Sequence, residues 1–302
     1  MSEATPLSVT GLTKVYARRE GGVVGIEDLA FAVGRGEIVA LLGPNGAGKT
    51  TSMLLALGLL HRDRGEVRLF GEDPELLEVR RRIGFAPDAP LFPQKLTGAQ
   101  ALELHGQLAG RGDAKKHALE LLDRLGMLDA AHRACGLYSK GMAQRLGLAQ
   151  ALIGEPALLF LDEPTAGLDP AGVAALRALL LELRGKGVAV VLNSHLLSEV
   201  ERVCDRVLFI KGGRLLRTHD MRLGGTRAEL RLANAAQVRA RLSQVLPDGV
   251  LEGDRFRIAV AAPEVMPGLV KTVSEAGGEV LEAKLAGAEL EELYLQIVEG
   301  RA

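Results

Sequence analysis

The octapeptide Gly43-Pro44-Asn45-Gly46-Ala47-Gly48-Lys49-Thr50 stands between an apolar run at residues 37–42 and a helix-compatible apolar stretch that begins at Thr51 and runs to Leu60. Glycines at that spacing let successive backbone N–H groups turn inward around phosphates. A strand before the loop and a helix after it are the setting in which such a loop cradles a nucleoside triphosphate. The loop therefore predicts a P-loop α/β core with the segment from Gly43 through Thr51 as the nucleotide-binding one. Lys49 is placed to reach the terminal phosphates, and the Thr50 hydroxyl is placed to face magnesium.

With 302 residues and 47% hydrophobic content, the chain is expected to bury one large core and a smaller one, hence two domains. The balance of 37 basic against 38 acidic residues gives no electrostatic footprint for nucleic acid and no polybasic membrane anchor. Cys135 and Cys204 lie outside any metal-ligand spacing and are expected to be small buried apolar residues in a reducing compartment. The N-terminus lacks a basic region followed by an apolar core, and no apolar run approaches the ~20 residues of a membrane span. A cytoplasmic protein is expected, with any membrane role reached through another chain.

Short apolar runs recur at residues 29–33, 37–42, 66–70, 157–162, 188–193 and 206–211, with helical patterns between several of them. This predicts an α/β layout with parallel strands at its centre. Strand signals vanish between Thr97 and Gly154, where three helical patterns (98–109, 114–125, 139–153) predict a helical insertion. Residues 219–226 read as a linker, and the order β-α-β-β-α-β-α beyond it resembles a ferredoxin-like module. The expected organisation is a nucleotide-binding domain at 1–218, with a helical subdomain at about 88–155, and an α+β accessory domain at 226–302.

Leu158-Leu159-Phe160-Leu161-Asp162-Glu163 is a buried-strand pattern ending in two carboxylates. Asp162 is the candidate for the magnesium shell, and Glu163, on the other side of the strand end, is the candidate general base that polarises the attacking water. Ser139-Lys140-Gly141-Met142 reads as a capped helix start, with free N–H groups and the positive end of the helix dipole ready for an anion.

Over residues 7–217 these motifs, in this order, resemble the ATP-binding cassette (ABC) ATPases, the motor subunits of ABC transporters. Tyr138-Ser139-Lys140-Gly141-Met142 stands where the family carries its signature, usually written LSGGQ. The resemblance implies ATP and Mg2+ as cofactors and a second copy of the chain as partner. Two subunits would meet head to tail, with Ser139 and Gly141 of one covering the γ-phosphate held by Lys49 of the other. It further implies Asp169 as the D-loop residue at the dimer seam, His195 as the switch histidine, and Tyr16 as the aromatic on which adenine stacks. Integral membrane permease subunits are the implied docking partners, holding the chain on the inner face of the cell membrane. The Ser-Lys-Gly-Met variant resembles exporter-type ATPases with separate permeases. A soluble ABC ATPase acting in assembly or maturation, or a regulatory nucleotide switch, are the alternatives.

Four positions depart from the family pattern: Asp88 at the Q-loop, and in the signature Tyr138 in place of leucine, Lys140 of the first glycine and Met142 of the glutamine. Asp88 stands in the place of the Q-loop glutamine, where it is expected as a further metal-side group and adds negative charge near a triphosphate, predicting a stronger magnesium dependence. Lys140 replaces the first signature glycine and adds a cation where the partner's γ-phosphate is expected.

Overall fold

The computed structural model describes residues 5–18, 21–222, 227–260, 263–286 and 290–299, so positions 223–226 of the expected linker lie outside the described residues. Two compact units divide the chain: Met1–His219 together with Tyr294–Ala302, and Asp220–Leu293.

The first unit opens with β1 (Leu7–Arg18) and β2 (Gly21–Val33), an antiparallel pair. There follow β3 (Ile38–Leu42), α1 (Lys49–Ala56), β4 (Arg64–Leu69), α2 (Leu77–Arg80) and β5 (Ile83–Ala86). Three helices come next, α3 (Gly98–Leu108), α4 (Ala114–Arg124) and α5 (Lys140–Leu152). The chain then alternates β6 (Leu158–Asp162), α6 (Pro170–Gly185), β7 (Ala189–Asn193), α7 (Leu197–Val203), β8 (Arg206–Lys211) and β9 (Arg214–Asp220).

A six-stranded sheet in the order β5-β6-β7-β3-β8-β9 forms the frame, with β5, β6, β7, β3 and β8 paired in parallel. Every residue of β3, β6 and β7 is buried, as expected of parallel strands covered on both faces, and this explains why they read as continuous apolar runs rather than alternations. The P-loop follows β3 and the acids Asp162 and Glu163 end β6, so both leave the sheet at its carboxyl edge, where parallel sheets bind ligands.

The runs at 29–33 and 66–70 belong to a separate antiparallel sheet, β2-β1-β4, rather than to the parallel one. β1 escapes a period-two reading because its pairing shifts register between Thr10 and Thr13, around Gly11 in the left-handed region. The helical insertion is stabilised at its start by a capping box, in which the Thr97 hydroxyl accepts from Gln100 N–H and the Gln100 side chain accepts from Thr97 N–H. Cys204 is buried as expected, and burial pushes its thiol well above the usual range; Cys135 is only half-buried, at the surface turn that precedes the signature segment.

The second unit holds β10 (Arg227–Leu232), α8 (Ala235–Val245), β11 (Val250–Glu252), β12 (Arg255–Ala259), α9 (Met266–Glu275) and β13 (Val280–Ala286), and α10 (Leu290–Glu299) follows. Its sheet runs β11-β12-β10-β13, all antiparallel, the strand order of a ferredoxin-like βαββαβ unit. Leu230, Val238, Leu242, Phe256, Leu269 and Val273 close a core of its own.

Candidate functional site

The P-loop wraps the mouth of a cavity of about 560 Å³ lined by Tyr16, Gly25, residues 45–51, Asp88, Asp162, Glu163 and Asn193. Thr51 lines it from the first turn of α1, next to Thr50, and its side of the helix is half-buried. Gly43 and Pro44, at the start of the loop, border a neighbouring cavity instead, together with Asn45 and Lys49. Gly48 takes φ 105°, and a Cβ there would sit 2.5 Å from Ile26 Cδ1, so only glycine lets the loop turn into α1 at this point. The Lys49 ammonium donates to the carbonyl oxygens of Gly43 (2.8 Å) and Pro44 (3.2 Å), which holds the side chain back along its own loop. Burial pulls its pKa below the usual lysine range, partly offset by the carboxylates of Glu163 and Asp162.

Across the cavity Thr50 Oγ1 lies 3.1 and 3.0 Å from the two carboxylate oxygens of Asp162. Asn193, at the end of β7, donates its amide to Asp162 and accepts the Glu163 N–H at 2.6 Å. Burial raises the Asp162 carboxyl above the ordinary range, and the charges of Asp88 and Glu163 add to the rise against the hydrogen bonds from Asn193 and Thr50. A buried carboxyl with no cation of its own beside a hydroxyl offers oxygen ligands to a hard divalent cation, whose remaining ligands would be phosphate oxygens and water. Among the described residues no group of three or more His, Cys, Asp or Glu converges to hold a metal by itself. The donor set therefore fits magnesium carried with a triphosphate.

Glu163 stands in the left-handed region at φ 48°, which swings its side chain off the line of β6. Its Oε2 lies 2.7 Å from His195 Nδ1 and accepts the His195 N–H at 3.3 Å. The carboxylate expected to activate water is thus held by the histidine expected to sense the γ-phosphate.

Ser139 caps α5, its hydroxyl accepting the Met142 N–H at 3.3 Å. A Cβ at Gly141 would meet the Gly167 carbonyl oxygen at 2.6 Å, so the helix start and the loop before Asp169 touch too closely for a side chain. Asp169 caps α6 through the Gly172 N–H (3.1 Å) and accepts from Arg145 of α5 at 2.8 Å. The signature helix and the D-loop position are thereby joined by a direct ion pair. Residues 139–142 line neither the nucleotide cavity nor the neighbouring one, which encloses about 310 Å³ at Lys49, Glu163 and His195. Tyr16 borders the nucleotide cavity with its ring 40% exposed and the Lys14 ammonium 5.9 Å from its centroid.

Three residues with no motif to betray them matter as much: Asn193, which joins the two acids; Arg145, which ties α5 to α6; and Gln144, buried behind Glu163 with its amide donating to the Glu163 carbonyl at 3.4 Å. The one available signal is that Gln144 and Arg145 directly follow the signature segment and Asn193 directly ends a strand.

The family model described as "ABC transporter" matches residues 26–166. Daunorubicin resistance ATP-binding protein DrrA3 of Streptomyces coeruleorubidus is 36% identical over 97% of this chain and 96% of its own length. The chain belongs to the ABC transporter ATP-binding family. Fluoroquinolones export ATP-binding protein MT2762 of Mycobacterium tuberculosis is 39% identical over 70% of this chain and 69% of that one. Among solved structures, the dimeric structure of the cassette MJ0796 in a post-hydrolysis state with ADP and Pi superposes with a TM-score of 0.67 at 25% identity, covering 71% of this chain and 98% of that chain. This ABC ATPase binds and hydrolyses ATP. Among its described residues no helix is long and apolar enough to cross a membrane.

Proposed function

We propose that two copies of this chain close head to tail around two ATP molecules and drive a separate membrane permease that exports small drug-like compounds. One observation carries the composite site: the capped anion-binding start of α5 is presented outward and lines neither phosphate cavity of its own chain. A site that has grip, metal acid and base but lacks its lid is completed by a second copy. The names of the relatives, which concern daunorubicin and fluoroquinolones, support export, and cargo contacts then belong to the permease.

In this reading the segment from Gly43 through Thr51, with Lys49 at its centre of charge, binds the phosphates and Tyr16 carries the adenine. Thr50 and Asp162, with Asp88 beside them, would hold magnesium, which neutralises phosphate charge when bound. Glu163 accepts the proton of the attacking water, and His195 orients Glu163 through Nδ1. Ser139, Lys140, Gly141 and Met142 of the other copy cover the γ-phosphate, with Asp169 at the seam. Because each site draws on both copies, ATP favours the closed pair and hydrolysis releases it.

Glu163→Gln tests this directly. ATP binding is expected to persist, turnover to fall ~10²–10⁴-fold, and the chain to sediment as a dimer with ATP and magnesium. Rapid multiple turnover by this variant would remove Glu163 from the role of base, and a strictly monomeric species at saturating ATP would remove the composite site.

A further inference from the structure

The 310 Å³ cavity beside Lys49, Glu163, Ser194, His195 and Leu197 has one wall from far along the chain: Tyr294 of α10. Residues 294–302 group with the first unit, so this is a contact inside the nucleotide-binding unit itself. The cavity contains the groups that act on the terminal phosphate: the cation that grips it, the base, and the histidine that holds the base. His195 is 67% exposed while Glu163 is 20% exposed, so the cavity opens outward on the His195 side, and Tyr294, half-buried, lines the same cavity.

From this placement we infer that α10 is a lid in cis, with Tyr294 occupying the mouth of the γ-phosphate chamber in the single chain and having to withdraw before a second copy can seat its signature helix there. The inference rests on the composite-site reading: one mouth cannot hold both lids. A tethered lid acts at an effective concentration that a free partner reaches only when ATP adds affinity. The apparent affinity of the pair for ATP is therefore reduced by the fraction of chains whose lid is open. The ring supplies the bulk on which the occupancy depends. A partner or permease that draws α10 away would license dimerisation without touching the P-loop.

The test places Tyr294→Ala and Tyr294→Phe in the Glu163→Gln background and follows dimer formation by sedimentation against ATP concentration. Tyr294→Ala is expected to form the dimer at roughly three- to tenfold lower ATP, and Tyr294→Phe, which keeps the ring, to stay nearer the parent than Tyr294→Ala. An unchanged or higher ATP requirement in Tyr294→Ala overturns the lid. Failure of Glu163→Gln alone to dimerise would instead overturn the composite site. As a check independent of these variants' folding, Tyr294→Trp in the same background introduces a unique fluorophore, since the chain has no tryptophan. Its emission should shift to the red as ATP brings the copies together; emission that stays fixed while dimer forms overturns the withdrawal of the lid.

Discussion

Asp162 of the nucleotide-binding unit and Glu229 of the second unit are buried to the same depth, 5% and 6% exposed, yet their surroundings push them in opposite directions. Asp162 receives its hydrogen bonds from neutral groups, Thr50 and Asn193, and has Asp88 and Glu163 as charged neighbours, so its carboxyl is raised. Glu229 lies mid-strand on β10, directly opposite Arg257 on β12 and Lys284 on β13, with Arg257 Nε at 2.9 Å, Lys284 Nζ at 3.2 Å and Arg255 Nη1 at 3.4 Å. Burial pushes Glu229 up, but the bonds and charges of Arg257 and Lys284 outweigh it and hold the carboxyl below the ordinary range. A carboxylate whose charge is balanced within the fold holds strands together. One left out of balance at the same depth suits, in the proposed function, a cation that arrives with the substrate.

Neutralising each acid in turn separates the two roles. Asp162→Asn is expected to lower ATP turnover by ~10²–10³-fold while leaving the melting temperature at or above the parent value, because a disfavoured charge is removed. A large fall in melting temperature with turnover retained would break the comparison. Glu229→Gln is expected to do the reverse, costing about 1–3 kcal/mol of second-unit stability in denaturant unfolding with little change in ATP hydrolysis. The cost stays below that of breaking a fully buried ion pair, since Arg255 and Lys284 are half-exposed and can turn to water.

The pH dependence carries opposite signs. Glu229, depressed in the fold, contributes stability that is present above the unfolded carboxyl value, about 4.3, and is lost as pH falls through its lower folded value. The stability gap between parent and Glu229→Gln should therefore close in acid, as thermal unfolding at stepped pH would record. Asp162, raised in the fold, works the other way: between the ordinary and the raised value it costs stability as pH rises, and on the acid side it is protonated early, taking ATPase activity with it.

The smallest expected effect sharpens the same contrast. Asp88→Gln removes one of the charges that raises Asp162, so the acid limb of the pH–rate profile should move to lower pH, with a weaker magnesium requirement. A profile and a magnesium titration both identical to the parent would take Asp88 out of the metal side of the site.

What could be read from the chain was what is local to it. The P-loop and the Asp162–Glu163 pair each sit within one strand–turn, so their spacing alone carries the chemistry. The ferredoxin-like strand order beyond Arg227 follows from short periodic segments that each span one element. Hidden were the features made by approach in space. Asn193 reaches back to β6 and Arg145 reaches forward to α6, and the neighbouring motifs mark their places in sequence but not these contacts. The first strand was invisible for a different reason, the bulge near Gly11 that breaks its alternation. Tyr294 was legible only as part of a final amphipathic helix, and nothing in that periodicity says which cavity the helix borders.

Asn193 grips the Asp162 carboxylate with one end of its amide and the Glu163 peptide nitrogen with the other. The two acids are thereby yoked through one planar group, and a cation held by Asp162 would bear, through Asn193, on the peptide from which Glu163 hangs.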